Sequence, residues 1–243
     1  MESIKLVCIP YAGGLASLYG KWKKYMHPTI EIMPVELAGR GVRSGIPFYQ
    51  SVHEAAADIA QSLAFTLQDE SYAIWGHSVG SLIAFELAQQ LRMRGVHDPL
   101  HLFFSGREGP QLPIVNNRGY ALPDNAFIEE VLRYEGTPKE LFDYKILAEL
   151  FLPILRADFK MAETYKYNHQ QEPLDADISV LFGTEDMTQE QAAAWQAATN
   201  GSCSIHAFSG GHFFINEQTE QVSNLINSVL LPTNTLITGA PLF

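Results

Sequence analysis

The tightest constraint on the fold is the pentapeptide Gly76-His77-Ser78-Val79-Gly80, set between an apolar run and a helical pattern. Tyr72-Ala73-Ile74-Trp75 reads as a short buried strand. From Ser81 to Arg94, Leu82, Phe85, Leu87, Ala88 and Leu91 are spaced for one buried side of a helix. A Gly-x-Ser-x-Gly turn between strand and helix is the pattern of a nucleophile elbow. The turn is tight, so a larger residue at Gly76 or Gly80 would clash with the neighbouring chain. It holds the serine in strained backbone geometry and lifts the hydroxyl clear of the sheet. The first N–H groups of the following helix face the same spot, which favours developing negative charge.

Strand-like and helix-like segments alternate around this turn. Ile4–Ile9, Glu31–Val35, Leu100–Ser105, Ile178–Phe182 and Ser204–Phe208 read as strands. Leu15–Tyr25 reads as a helix, as do Ser51 to about Leu67 and about Glu217 to Leu230. Ser51 is a good N-cap with Glu54 at the capping-box position. Gly39–Gln50 is a Gly- and Pro-rich loop. This alternation predicts an α/β fold with a mainly parallel sheet covered by helices on both faces. With 243 residues, 47% of them hydrophobic, one sizeable core and a single domain over 1–243 are expected. Residues 107–176 break the pattern. Helices are expected from Pro123 and Pro138, then a long one from Tyr144 to Tyr167 interrupted at Pro153. A helical insertion after a strand's C-terminal end lies beside the active-site edge of such a sheet, so this segment is read as a cap, or lid. Its aromatics include Phe142 and Phe151. The tail 232–243 has no clear pattern and is expected to be poorly ordered.

Composition excludes several classes. A net charge of −11 argues against a nucleic-acid binder. No apolar run approaches the ~18 residues that span a bilayer. Met1-Glu2-Ser3-Ile4-Lys5 is no secretion signal. Cys8 and Cys203 lie far apart in strand-like segments, so buried free thiols and a cytoplasmic location are expected, with no metal site. Neither a dinucleotide fingerprint nor a Walker A loop is present, so no cofactor is expected.

A serine hydroxyl is a weak nucleophile that needs a base and a group to orient that base. In a hydrolase with this elbow the order along the chain is Ser, Asp or Glu, then His. His212 follows Phe208-Ser209-Gly210-Gly211, where a strand runs into a Gly-rich turn at the sheet's C-terminal edge. The other histidines lie inside strands, in helices or loops, or, for His77, within the elbow with its side chain directed away from the serine's exposed face. The carboxylate comes from Asp186 or Glu185, after the strand that ends at Gly183; the shorter Asp186 gives the stiffer hydrogen bond. For the oxyanion, the N–H of Val79 follows the serine directly. The second donor comes from the loop Pro10-Tyr11-Ala12-Gly13-Gly14, at Ala12, with Tyr11 lining the pocket.

At this point the chain resembles the type II, or editing, thioesterases of nonribosomal peptide and polyketide pathways, which are α/β-hydrolases. The resemblance rests on Ile9–Gly14, Val35-Glu36-Leu37-Ala38-Gly39-Arg40-Gly41, Gly76–Gly80, Leu152-Pro153-Ile154-Leu155-Arg156-Ala157-Asp158-Phe159, Phe182–Asp186 and Gly210-Gly211-His212-Phe213-Phe214, in that order. Val79 departs from the methionine often found there, but only its N–H matters. The resemblance implies a Ser78–Asp186–His212 triad. It also implies hydrolysis of acyl groups stalled on the 4′-phosphopantetheine arms of acyl or peptidyl carrier proteins. A monomer is expected. Carrier proteins are usually acidic, as this chain is, so docking needs a basic patch or an apolar contact. Lys21, Lys23 and Lys24 form one candidate patch and Arg40 with Arg43 another. The cap aromatics Phe142 and Phe151 are expected to contribute more. The alternatives are a medium-chain thioesterase that terminates fatty acid synthesis, a carboxylesterase, and a non-catalytic binding protein on the same fold.

Overall fold

The computed structural model describes residues 3–114 and 118–231; the tail 232–243 lies outside them. Six strands form one sheet: β1 (Ile4–Ile9), β2 (Ile30–Pro34), β3 (Tyr72–His77), β4 (Leu102–Ser105), β5 (Ile178–Gly183) and β6 (Cys203–Phe208). Their order is β2-β1-β3-β4-β5-β6, and every pairing is parallel. This is the parallel sheet expected from the alternation, in keeping with the α/β-hydrolase fold that the resemblance implies.

The strands alternate between two cores, as a period of two requires. Val7, Ile9, Ile74, Phe104 and Val180 face one side, where α1 (Val52–Leu67) and α2 (Val79–Met93) cover the sheet. Leu6, Cys8, Trp75, Phe103 and Leu181 face the other. There they meet Tyr19 and Trp22 of a 3₁₀ segment, Ala16–Lys24, together with Val222 and Ile226 near the C-terminus. Ser51 caps α1 as expected, its Oγ accepting the Glu54 N–H at 3.1 Å. The Glu54 carboxylate reaches one residue further back than a capping box, to the Gln50 N–H at 2.6 Å.

Between β4 and β5 the described chain carries α3 (Asp124–Leu132), α4 (Glu140–Asp143) and α5 (Lys145–Glu163). The expected break at Pro153 does not occur: α5 runs through it. A proline in a helix interior costs ~3 kcal/mol. Here Ile154, Leu155, Asp158 and Met161 are all buried on one side of α5 and hold the helix together across the missing N–H. After β5 come α6 (Gln189–Ala193) and, following β6, a short α7 (Phe214–Glu217) and then α8 (Thr219–Leu230), the expected C-terminal helix. Cys8 is buried, whereas Cys203 is only partly so, because it opens the edge strand β6. Among the described residues, no helix is long and apolar enough to cross a membrane.

β1 is flanked by β2 on one side and β3 on the other, so the chain changes direction across the sheet between β1 and β3. In open α/β sheets the crevice beyond the strands' carboxyl ends at such a point is where ligands bind. The loop after β1 and the turn after β3 meet there.

Candidate active site

Ser78 has φ 58° and ψ −122°, in a region that side-chain-bearing residues rarely enter. The surroundings enforce this geometry. The Ser78 N–H donates to the Ser105 carbonyl at 2.7 Å. Three residues on, the Ser81 hydroxyl donates to the Gly76 carbonyl at 2.9 Å and accepts the Ser105 N–H at 3.0 Å. The elbow is thus pinned to the end of β4. A side chain on Gly76 would strike the Gly80 carbonyl, and one on Gly80 would come within 2.6 Å of the Ile9 carbonyl oxygen. The glycines are therefore required by close backbone approach.

The Ser78 side chain opens on a cavity of about 310 Å³ that is also lined by Asp186, His212, Ala12 and Val79. His212 lies in the turn after β6, and Asp186 in the turn after β5. Gly183 lets these turns approach, since a side chain there would strike the Gly211 carbonyl. His212 Nδ1 is 2.9 Å from Asp186 Oδ2. A carboxylate only accepts, so Nδ1 carries the proton and the lone pair of the neutral ring lies at Nε2. Glu185, the competing carboxylate, is exposed and absent from the cavity wall. Among the described residues, no hydrogen bond joins Ser78 Oγ to His212, and the N–H groups of Ala12 and Val79 have no protein acceptor. Val79 opens α2, so its N–H is one of the unpaired donors of a helix N-terminus.

His77 is fully buried. Its Nδ1 is 2.8 Å from Ser105 Oγ, and its ring packs 5.0 Å from that of His212. Burial, with His212 adding to it, holds its pKa well below the ordinary histidine value, so the ring is neutral packing behind His212. Tyr11 lines the cavity as expected and packs edge-on against Phe213 at 4.8 Å.

The sequence missed several wall residues. Tyr134 packs edge-on against His212 at 5.2 Å, and Val131, Phe159 and Ala162 bring the cap over the cavity. Polar groups share the wall: Arg107, Glu108, Glu163 and Gln191. Burial raises the pKa of Glu163. Their only sequence signal is membership of the segment read as cap or of the turns beside the candidate triad. Nothing local marks which side chains turn inward.

A family model described as the thioesterase domain matches residues 4–230. The chain belongs to the thioesterase family. Thioesterase PikA5 of Streptomyces venezuelae is 35% identical over 242 residues, covering 99% of this chain and 84% of the relative. The medium-chain S-acyl fatty acid synthase thioesterase of Rattus norvegicus is 33% identical, covering 87% and 81%. Among solved structures, ClbQ from the colibactin nonribosomal peptide and polyketide synthetase pathway superposes with a TM-score of 0.89. It is 34% identical, with 94% of this chain and 97% of that one covered. The protein is a thioester hydrolase of the serine type.

In this thioesterase two of the expected surface features take other places. Arg40 is 2% exposed and sealed in an ion pair with Asp158, and Arg43 pairs with Asp58 at 2.8 Å, so Arg40 and Arg43 do not form a free basic patch. Lys21, Lys23 and Lys24 remain exposed on the 3₁₀ segment. Phe142 packs within the cap on Phe127, Val131 and Leu155 and is absent from the walls of both cavities described here. Phe151 lines a smaller cavity of about 190 Å³, beside the first and sharing Tyr11, Ala12, Thr137 and Leu155 with it. The short α4 and the buried core of α3 and α5 draw Phe142 inward.

Proposed function

We propose that this thioesterase frees carrier proteins of a nonribosomal peptide or polyketide assembly line from acyl or aminoacyl groups held as phosphopantetheine thioesters. The observation that carries the reading is a single cavity. It gathers a strained serine, a histidine oriented by a carboxylate, and two N–H donors without protein acceptors. ClbQ, from a pathway of that kind, supports the substrate class.

In this mechanism Ser78 Oγ adds to the thioester carbonyl while its proton passes to His212 Nε2. The carbonyl oxygen becomes an oxyanion between the N–H groups of Ala12 and Val79. Asp186 holds the imidazolium in orientation. The C–S bond breaks, and the pantetheine sulfur leaves as a thiol with the proton from His212. Water then adds to the Ser78 ester as His212 takes its proton, and collapse releases the acid and restores the serine. The smaller cavity, running along Gly13–Leu18 under Phe151, offers the pantetheine arm a route to Ser78.

The medium-chain fatty acyl reading has the rat relative in its favour. Against it, the wall carries the charged and polar groups Arg107, Glu108, Glu163 and Gln191, which an alkyl chain would strip of water without offering them a hydrogen bond. Intact-mass spectrometry of one carrier protein loaded with aminoacyl, short acyl or medium-chain acyl groups tests the proposal. The expected result is return of the free-thiol carrier mass from the aminoacyl and short acyl forms. Ser78→Ala should lower kcat by about 10⁶. Turnover confined to medium-chain groups would transfer the assignment to fatty acid release, and a fully active Ser78→Ala would overturn the mechanism.

A further inference from the structure

Arg40 and Asp158 form a buried ion pair, with each side chain 1% exposed. Arg40 Nη2 donates to Asp158 Oδ1 at 2.6 Å, and Nη1 to Oδ2 at 2.7 Å. The pair lies against the loop after β1. Asp158 Oδ2 also accepts the Gly13 N–H at 2.8 Å, and Arg40 Nη1 donates to the Gly14 carbonyl at 3.2 Å. The two residues that follow Ala12 are therefore held, Gly13 by Asp158 and Gly14 by Arg40. Ala12 itself keeps its N–H free of protein acceptors. The clamp comes from outside the loop: Arg40 stands after β2, and Asp158 is on cap helix α5. The same helix presses Leu155 onto Gly13, where an added Cβ would lie 2.7 Å from Leu155 Cδ2. Gly13 has φ +76°, so the loop needs a glycine there and would be soft without outside contacts.

A buried ion pair gives little net stability over an apolar pair of similar volume, because desolvation offsets the attraction. What a bidentate Arg–carboxylate fork does supply is fixed geometry. An oxyanion donor is useful only when it is aimed in advance at the place where charge develops.

We propose that Arg40 and Asp158 are positioning residues for catalysis: the ion pair aims the Ala12 N–H into the cavity and makes that aim depend on the seating of cap helix α5. The proposal rests on the reading of Ala12 as an oxyanion donor and of Ser78 as nucleophile. Neither Arg40 nor Asp158 lines the cavity, so both act through the backbone.

The test compares Arg40→Lys, Asp158→Asn and Asp158→Ala with wild type, using a small acyl thioester and rates expressed per folded molecule from circular dichroism. Removing an oxyanion donor costs about 10²–10³ in kcat, and misaiming one should cost less, roughly 10–100-fold, with KM nearly unchanged. A second readout separates positioning from folding. Affinity for a substrate-like trifluoromethyl ketone, whose adduct with Ser78 carries the oxyanion, should fall by a similar factor, while affinity for the parent methyl ketone stays constant. Asp158→Asn keeps one acceptor for the Gly13 N–H and should be milder than Asp158→Ala. Unchanged kcat per folded molecule, or equal weakening of both ketones, overturns the proposal, and so does loss of activity only in step with loss of folded protein. Wild-type protein that hydrolyses no thioester would instead refute the reading of the site itself, before any variant is compared.

Discussion

His101 immediately precedes β4, its Nε2 2.8 Å from Ser179 Oγ. Burial holds its pKa down at about 4 from the usual 6.5; the Asp177 carboxylate opposes this, and His206 adds to it. His77 and His206 are also held below the ordinary value by burial. Each ring is neutral when folded, yet takes up a proton near pH 6.5 when unfolded. As pH falls from 6.5 to about 4, the unfolded chain therefore binds more protons than the folded one, and stability falls with it. Above 6.5 these groups add no slope. For His101 alone the loss should reach about 2 kcal/mol, after allowance for its partial exposure. His101→Gln should flatten that part of the urea-midpoint profile between pH 4 and 6.5. A variant whose profile runs parallel to wild type would show that His101 is not among the groups responsible.

At the scale of elements, α5 invites a direct test. Pro153 lacks the N–H that would bond to the Glu149 carbonyl, and its ring crowds that turn. Pro153 is exposed, so Pro153→Ala removes little packing. The substitution should stabilise the protein by about 1–3 kcal/mol, read as a raised urea midpoint with unchanged slope. A lowered midpoint would mean that Pro153 is needed for α5 to reach Gly13 and Arg40. The same helix shows where sequence reading stops. The elbow, the strands ending in glycine and the Gly-Gly-His turn were legible because each has a local cause: a backbone too close for a side chain, or a strand too apolar to be anything else. The hydrogen bond of His212 to Asp186 followed, since both turns end adjacent parallel strands. Arg40 meeting Asp158 across 118 positions has no local cause, and Arg40 close to Arg43 in sequence reads as a basic patch. The inward turn of Phe142, and Tyr134 against His212, depend likewise on how the cap seats on the sheet.

For the molecule as a whole, net charge sets the terms of encounter with a partner. The chain carries −11, and with Arg40 and Arg43 committed to ion pairs, Lys21, Lys23 and Lys24 are the candidate basic patch that remains exposed. An acidic carrier protein must approach against this overall field. At an ionic strength near 0.01 M the screening length is about 30 Å, so the approaching carrier feels the whole molecule; at 0.15 M it is about 8 Å, and only charges at the contact count. If the net field governs encounter, added salt speeds association, the reverse of the slowing seen when opposite charges steer two partners together. KM for an acyl group on an acidic carrier should therefore fall by roughly 3-fold or more over that range. KM for the same acyl group on a short, uncharged thiol should stay constant, because a neutral substrate is not repelled. Charge reversal of Lys21, Lys23 and Lys24 should steepen the salt dependence, since it deepens the repulsion. A carrier KM that rises with salt in wild type would show instead that this lysine cluster outweighs the rest of the surface and draws the carrier to the 3₁₀ segment.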